Sequence, residues 1–283
     1  MSTVLAPFEA RPYGLVVRGV RAGQGPVALL LHGTAGSWRN FRPWLPALLP
    51  RRTLIIPDLP GFGDSPAPPG GRPRPRLRTW ARLLHALVAE LGAPPTTLIG
   101  LGLGASVALA YLAVAPPGTP PLTALVLHTP AYYPGAVRPL VRYGVPLLAA
   151  PPVFALARRA LEHPRVQDWY LRRLVASPDA PAATAELADD LRRASLPVLR
   201  GLARDAVRAD FRPLLRACPT PTLAIVAEHD PFVQAEAVLA LAALMPRAEV
   251  LVQRGVGHGW TEAAIEEQQR ALARFLDAHP PPG

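Results

Sequence analysis

The 283-residue sequence contains no lysine, one asparagine (Asn40), one cysteine (Cys218) and two methionines. With a single cysteine the chain cannot form an internal disulfide, which excludes a disulfide-stabilised secreted scaffold. Only 18% of the residues are charged and 50% are apolar, which excludes an intrinsically disordered chain. The chain is therefore expected to fold around a substantial apolar core.

Because lysine is absent, all 30 basic residues are arginines, and they give the chain a formal net charge of +10 at pH 7. Such a charge ordinarily favours binding to nucleic acids or to anionic membranes. Here the arginines are spread along the chain, and alanine, proline, leucine and glycine are abundant too, which indicates the composition of a GC-rich genome. No nucleic-acid-binding module accompanies them, so we do not expect nucleic acid as a partner.

Charged residues are also absent between Glu90 and Arg138, so a membrane-spanning helix has to be considered. Glycines and prolines interrupt this stretch, and its apolar runs are more typical of buried strands and a buried helix. The N-terminal residues lack a basic segment followed by an apolar one, so no signal peptide is predicted. We therefore expect a cytoplasmic protein without a stable membrane span.

Short apolar runs alternate with helical patterns along most of the chain. The runs typical of strands are at 13–20, 27–33, 53–58, 96–100, 122–128, 220–230 and 248–253. The helical patterns between them are at 41–50, 78–92, from near residue 103, and at 261–279. This alternation predicts the α/β fold class, with a doubly wound, mostly parallel sheet and helices on both faces.

The alternation is interrupted between residues 131 and 212, where helical patterns occur without a convincing strand. We therefore predict an α/β core formed by residues 1–130 and 213–283, with residues 131–212 inserted as a helical lid. The proline- and glycine-rich stretch 66–75 is expected to be an exposed loop.

Ligands of such sheets bind where the carboxyl ends of the strands meet. The segments that fall there are HGTAG at 32–36, DLPGFGDS at 58–65, GLGLG at 100–104, EHD ending at 230, and GVGHGW at 255–260. In this order they resemble the α/β-hydrolase superfamily, in particular the esterase, lipase and epoxide-hydrolase-like members that carry a helical lid. The resemblance covers nearly the whole chain and implies that fold.

The resemblance also implies a catalytic triad, in which a nucleophile on a strand–turn–helix elbow is followed by an acid and a histidine. Asp230 matches the acid and His258 matches the histidine. The carboxylate would accept the Nδ1 hydrogen of the imidazole, fix its tautomer and stabilise the imidazolium formed during turnover. Taken singly, each residue also fits a structural role, the aspartate as a turn cap and the histidine as a buried hydrogen-bonding group.

HGTAG matches the oxyanion loop of the family, although an ordinary strand-to-helix turn has the same appearance. The backbone N–H groups of Thr34 and Leu103 are the expected oxyanion donors. Gly33 and Gly36 are expected to allow the sharp bend that aims them. The segment 58–65 is expected to shape the pocket without a catalytic role, and the histidine at 229 is expected to lie on the surface.

The chain departs from the family at the nucleophile, because Gly-x-Ser-x-Gly reads GLGLG and places Gly102 where the serine belongs. No other residue is a good substitute nucleophile. Ser106 lies one helical turn past the tip of the elbow, Ser37 is expected to cap a helix, and Cys218 precedes a strand at the opposite end of the sheet. Glycine would relieve the backbone strain of an elbow, about 1–3 kcal/mol. The sequence leaves open whether Gly102 is natural or introduced.

The sequence therefore predicts a serine-hydrolase-type protein for small apolar ester or acyl substrates, with covalent catalysis abolished or impaired by Gly102. One alternative is a non-catalytic protein that binds a small apolar ligand. Another is a lyase, isomerase or cofactor-free oxygenase that uses His258 as a general base. No metal or organic cofactor is expected. The lid aromatics that either line the pocket or pack in the core are Tyr132, Tyr133, Phe154, Trp169 and Tyr170.

Overall fold

The structure, a computed structural model, describes residues 5–281 except 149, 151, 154–155, 157–158, 161–162, 171–180 and 259–260. Its centre is an eight-stranded sheet in the order β1-β2-β4-β3-β5-β6-β7-β8. The strands are β1 (Ala6–Ala10), β2 (Val17–Ala22), β3 (Val27–Leu31), β4 (Thr53–Pro57), β5 (Thr97–Leu101), β6 (Ala124–His128), β7 (Thr222–Ala227) and β8 (Ala248–Gln253). β2 pairs antiparallel with β1 and β4, and the remaining pairs are parallel. The predicted mostly parallel sheet is thus confirmed.

Helices lie between successive parallel strands, and a last helix follows β8. They are α1 (Leu45–Leu48), α2 (Leu77–Glu90), α3 (Leu103–Ala113), α4 (Pro139–Leu148), α5 (Pro164–Tyr170), α6 (Pro181–Arg193), α7 (Leu196–Ala206), α8 (Arg212–Arg216), α9 (Ala235–Leu244) and α10 (Glu262–Ala278). A 3₁₀ helix over Trp38–Trp44 leads directly into α1. Among the described residues no helix is long and apolar enough to cross a membrane.

The sheet separates two apolar clusters, because alternate side chains of each strand point to opposite faces. One cluster contains Leu29 and Leu31 of β3 together with residues of α2 and α3, such as Trp80. The other contains Leu30 of β3 with Trp44 of the 3₁₀ helix and residues of α10. Because both faces are covered, β5 and β6 are buried along their whole length.

Helices α4 to α8 lie between β6 and β7, and the described residues of this segment include no strand, apart from an isolated bridge between Val137 and Val233. Helix α7 packs against α2 and α3. Helix α6 contacts the 3₁₀ helix region through a buried hydrogen bond from Ser37 Oγ to Asp190 Oδ2 (2.7 Å).

The aromatic residues of this segment occupy different environments. Tyr132 is buried and its hydroxyl donates to the carbonyl of Ala237 (2.7 Å), which makes it a core residue. Tyr133 is half-buried, with the guanidinium of Arg212 over its ring. Trp169 is 60% exposed and therefore contributes no buried wall. Phe154 and the side chain of Tyr170 lie outside the described residues.

Candidate active site

The GLGLG segment forms a tight strand–turn–helix elbow. β5 ends at Leu101, α3 begins at Leu103, and Gly102 between them has φ 51° and ψ −109°. Its N–H donates to the carbonyl of His128 at the end of β6 (2.9 Å), and its carbonyl accepts the N–H of Ala105 (3.0 Å). Residues with a side chain rarely adopt a positive φ of this kind, whereas glycine does so without a Cβ clash.

The three glycines of the elbow differ in the space around them. A Cβ at Gly100 would lie 2.6 Å from the Cα of Ala105, and one at Gly104 would lie 2.0 Å from the carbonyl oxygen of Leu31. A Cβ at Gly102 would meet only Thr129 Oγ1, at 3.8 Å, which is an ordinary van der Waals distance. The elbow therefore has room for a side chain at its central glycine and at neither flanking one.

The predicted acid and histidine lie in direct contact. Asp230 follows β7 and is completely buried, and its Oδ2 is 2.7 Å from Nδ1 of His258, which follows β8. Oδ1 accepts the backbone N–H groups of Phe232 (2.8 Å) and Val233 (2.9 Å). Because the carboxylate can only accept, Nδ1 carries the hydrogen, and the lone pair of the neutral ring is on Nε2.

The surroundings keep Asp230 ionised. Burial raises the pKa of Asp230, but the hydrogen bond and charge of His258 and the N–H groups of Phe232 and Val233 outweigh it, so that this pKa lies below its usual value. His258 is one-quarter exposed, and its ring meets Phe232 edge to face, with the centroids 4.7 Å apart. This arrangement orients the imidazole and leaves it partly accessible.

Two residues at the end of β6, His128 and Thr129, border the elbow and were not anticipated from the sequence. Thr129 is buried and has a positive φ of 45°, which is rare for a β-branched residue. His128 is buried beside Trp44. Burial and then the charge of His258 lower the pKa of His128 to about 3, which keeps its ring neutral.

The expected oxyanion donors lie on neighbouring elements. Leu103 is the first residue of α3, so its N–H has no carbonyl partner within the helix. Thr34 is exposed in the turn after β3. A Cβ at Gly104 would lie only 2.0 Å from the carbonyl oxygen of Leu31, the last residue of β3. The start of α3 and the turn that contains Thr34 are therefore adjacent.

The bend of this turn has a different origin from the one predicted. Its left-handed residue is Ala35 (φ 53°), and neither Gly33 nor Gly36 has a positive φ. Gly36 is needed for another reason, because a Cβ there would lie 1.9 Å from the side-chain oxygen of Asn40. That oxygen accepts the N–H of Gly33 (3.3 Å).

The loop 58–65 is held together by the buried Asp58. Its carboxylate accepts the N–H groups of Trp38 (2.7 Å) and Asp64 (2.8 Å). Burial raises the pKa of Asp58 to about 6, although these bonds act in the opposite direction. His32 packs beside this loop, where its Nε2 accepts the N–H of Leu59 (2.9 Å).

The other candidate side chains lie as expected or away from the site. Ser106 is buried within α3, and its hydroxyl faces the carbonyl of Ala131 (3.4 Å). Ser37 caps the 3₁₀ helix by accepting the N–H of Arg39. Cys218 precedes β7, and His229 is largely exposed. Among the described residues no cluster of three or more His, Cys, Asp or Glu side chains could hold a metal ion.

Comparison with known proteins gives one solved structure of similar fold and one match over part of the sequence. An N-acyl homoserine lactonase, AidH, whose structure is that of a serine-to-glycine mutant complexed with N-hexanoyl homoserine lactone, has a TM-score of 0.75, at 19% identity over 96% of this chain and 97% of that one. A soluble epoxide hydrolase of Corynebacterium sp. (strain C12) is 39% identical over 111 residues, or 39% of this chain and 38% of that protein.

Two matches extend over most of the chain at the level of sequence. A pimeloyl-(acyl-carrier protein) methyl ester esterase of Xanthomonas campestris pv. campestris is 30% identical over 271 residues, which cover 91% of this chain and 98% of that enzyme. The model of the alpha/beta hydrolase family matches residues 28–275. This chain therefore belongs to the alpha/beta hydrolase family.

Proposed function

We propose that this chain binds a small apolar ester or related acyl compound at the elbow and forms no acyl-enzyme, because Gly102 occupies the nucleophile position. The observation that carries the proposal is the contrast among the elbow glycines. The flanking glycines admit no side chain, whereas the central one has room for a side chain but bears none. The elbow thus keeps the shape of a nucleophile turn without its reactive atom.

The remaining parts of an acyl-transfer site support this proposal. Asp230 holds His258 with Nε2 as its basic nitrogen, and the N–H groups of Leu103 and Thr34 would stabilise an oxyanion. In enzymes of this type, loss of a triad member leaves about 10³–10⁴-fold catalysis over water, from the oxyanion hole and substrate positioning. We therefore expect weak hydrolysis and no covalent intermediate.

The names of the relatives favour an ester or lactone as the ligand. One relative is a methyl ester esterase. The AidH mutant was obtained as a complex with N-hexanoyl homoserine lactone, which has an apolar acyl chain. An ester or lactone carbonyl suits the proposed site, in which its oxygen would face the amide donors of Leu103 and Thr34.

We propose that the helical segment 131–212 acts as the lid of this site. Its first part is attached to the loop that carries the acid. The side-chain Nε of Arg138 donates to the backbone carbonyl of Asp230 (2.6 Å), and the backbone N–H of Arg138 donates to the backbone carbonyl of Phe232 (2.9 Å). A movement of this segment would therefore displace the loop that carries Asp230 and, through Asp230, the ring of His258.

The retained pair of Asp230 and His258 favours a second candidate, in which His258 acts as the general base of a lyase, isomerase or cofactor-free oxygenase reaction. A buried carboxylate with three hydrogen-bond donors is costly to keep unless it serves proton transfer or stability. A pure ligand-binding protein needs no basic nitrogen at this position. Binding of esters without any turnover would favour the pure binding role instead.

Restoring the serine tests the proposal. We expect Gly102→Ser to react stoichiometrically with a fluorophosphonate probe and to raise kcat/KM for p-nitrophenyl butyrate by about 100-fold or more, since a side-chain nucleophile beside a general base becomes available. Gly102→Ala is the matched control, because it adds the Cβ and its backbone strain without a hydroxyl. If a folded Gly102→Ser variant gains neither activity nor probe labelling, the assignment of the site is wrong.

A further inference from the structure

We infer that Thr129 is a positioning residue, whose hydroxyl holds a water molecule at the tip of the elbow so that this water attacks the bound ester in place of a side-chain nucleophile. The inference rests on the proposed function, since it requires an ester carbonyl at the elbow. It adds a residue that belongs to none of the motifs of the sequence.

The position of the hydroxyl carries the inference. Thr129 Oγ1 is the atom that a Cβ on Gly102 would meet, at 3.8 Å. A water molecule in the place of a serine hydroxyl would therefore lie within reach of it. Thr129 also has an unfavourable backbone conformation (φ 45°), which persists only where the surroundings impose it.

The surroundings that impose this conformation are the strands themselves. The N–H of Thr129 donates to the carbonyl of Ile225 in β7 (2.7 Å), and the carbonyl of His128 accepts the N–H of Gly102 (2.9 Å). The elbow, the end of β6 and β7 are thus connected by backbone hydrogen bonds. Consequently the threonine hydroxyl has a fixed place relative to the elbow.

The serines considered as alternative nucleophiles, Ser37 and Ser106, are engaged in other hydrogen bonds. Ser37 donates to the carboxylate of Asp190, and Ser106 faces the carbonyl of Ala131. Thr129 itself is poorly placed to act as the nucleophile, because its hydroxyl lies 3.5 Å from Nδ1 of His128. The low pKa of His128, about 3, makes that ring a weak base.

The step that this arrangement permits is a direct hydrolysis. The water oxygen attacks the ester carbonyl carbon while one water proton passes to Nε2 of His258, and the carbonyl electron pair becomes the oxyanion. The tetrahedral intermediate then collapses, the carbon–alkoxy bond breaks, and the alkoxide takes the proton from His258. The products are the acid and the alcohol, His258 is regenerated, and only the ester and one water molecule are consumed.

The test compares two substitutions of Thr129 that differ in the hydroxyl. We expect Thr129→Val, which keeps the branched shape, to lower kcat for p-nitrophenyl butyrate about tenfold with KM unchanged, because the water loses one hydrogen bond. Thr129→Ser keeps the hydroxyl and should retain most of the activity. In the Gly102→Ser background the serine replaces the water, so Thr129→Val should then change kcat less than about twofold.

The possible failures are distinguishable. Equal activity of folded Thr129→Val and Thr129→Ser variants overturns the inference, as does a covalent acyl or phosphonyl adduct found on Thr129 by mass spectrometry. If Gly102→Ser is active and labelled while Thr129→Val leaves the weak activity of the unmodified chain unchanged, only the role of Thr129 is wrong. If neither the unmodified chain nor Gly102→Ser acts on esters, the proposed function fails and the inference fails with it.

Discussion

At the scale of single residues, the elbow contains two glycines that packing requires and one glycine that the backbone conformation requires. Gly100 and Gly104 lie where a Cβ would overlap backbone atoms of Ala105 and Leu31. Backbone atoms cannot move aside as the end of a flexible side chain can. Gly102 has space, and only its positive φ disfavours a side chain.

This difference predicts a ranking of alanine substitutions. We expect Gly104→Ala and Gly100→Ala each to lower the free energy of unfolding by about 3 kcal/mol or more, through overpacking against fixed backbone. Gly102→Ala should cost only about 1–2 kcal/mol, from strain alone. Urea denaturation of the three variants measures the ranking, with Gly118→Ala as the reference for strain alone, because Gly118 is exposed and also has a positive φ (81°). A Gly102→Ala variant as unstable as Gly104→Ala would contradict it.

The site residues differ in how far the sequence can indicate them. The contact between Asp230 and His258 is one that the motif order implies, since each follows a strand and the two strands are neighbours. Their catalytic roles stay predictions. Thr129 could not be found in this way, because its closeness to Gly102 depends on the pairing of β5 with β6 and on a backbone angle. Its only signal is its place directly after a buried strand that ends in His128.

At the scale of elements, the contact between helix α6 and the 3₁₀ helix depends on a serine with two functions. Ser37 accepts the N–H of Arg39 as a cap and donates its hydroxyl to Asp190 of α6 (2.7 Å). Asp190 is buried, its nearest cation is Arg39 (3.6 Å), and burial raises its pKa. One hydroxyl thus links the turn that contains Thr34 to the inserted helices.

We therefore expect Ser37→Ala to lower the free energy of unfolding by about 2 kcal/mol, since it removes a cap and leaves a buried carboxylate oxygen without its donor. Asp190→Asn is the matched comparison. It keeps an acceptor for Ser37 and removes the buried charge, so its effect should be within about 1 kcal/mol. Denaturant unfolding measures both. A larger loss for Asp190→Asn than for Ser37→Ala would show that the charge, and not the serine hydrogen bond, stabilises the contact.

Each element that the sequence patterns do not predict correctly has a physical reason for the failure. β1 has the sequence APFEA, in which a proline and a glutamate interrupt any apolar run, and it forms because it pairs with β2 at the sheet edge. Helix α9 is apolar on most sides, so it lacks the periodicity that marks an amphipathic helix. The helical pattern at 41–50 proves to be a 3₁₀ helix followed by one short α-helix, with Pro43 inside the former. The buried parallel strands were predictable because both of their faces are apolar.

At the scale of the whole molecule, the many arginines contribute little to stability through ion pairs. Among the described residues most of the arginine ion pairs are on the surface, such as Arg51 with Asp277 (2.7 Å) and Arg212 with Asp210 (2.6 Å). Exposed pairs of this kind contribute about 0–1 kcal/mol each and are screened by salt. The response of the folded chain to pH is therefore governed by its buried titratable groups.

The buried histidines predict that the chain loses stability in mild acid. Burial lowers the pKa of His32 from 6.5 to about 4 and that of His128, next to His258, to about 3. Between pH 6.5 and these values the unfolded chain binds more protons than the folded one, so the free energy of unfolding falls as the pH falls. Each histidine contributes a slope of about 1.4 kcal/mol per pH unit in this window.

Asp58 acts in the opposite direction over part of the same range. Burial raises its pKa from 3.8 to about 6, so between these values the folded chain binds the additional proton and gains stability as the pH falls. Two histidines outweigh Asp58. Of the remaining partly buried groups, Asp190 with its raised pKa and His85 with its lowered pKa act in opposite directions, so a net loss of stability of about 1.4 kcal/mol per pH unit is expected between pH 6 and 4.5. Urea unfolding at several pH values measures this slope.

Substitutions of His32 and of Asp58 should change the dependence of the free energy of unfolding on pH in opposite senses. His32→Gln keeps an acceptor for the N–H of Leu59 but does not titrate, so its stability should be nearly independent of pH between 6 and 4.5. Asp58→Asn removes the opposing group and should make the slope steeper, about 2.7 kcal/mol per unit. The comparison uses slopes, so a lower stability of either variant at pH 7 does not affect it. An unmodified chain that becomes more stable on acidification would show that the buried carboxylate outweighs the histidines.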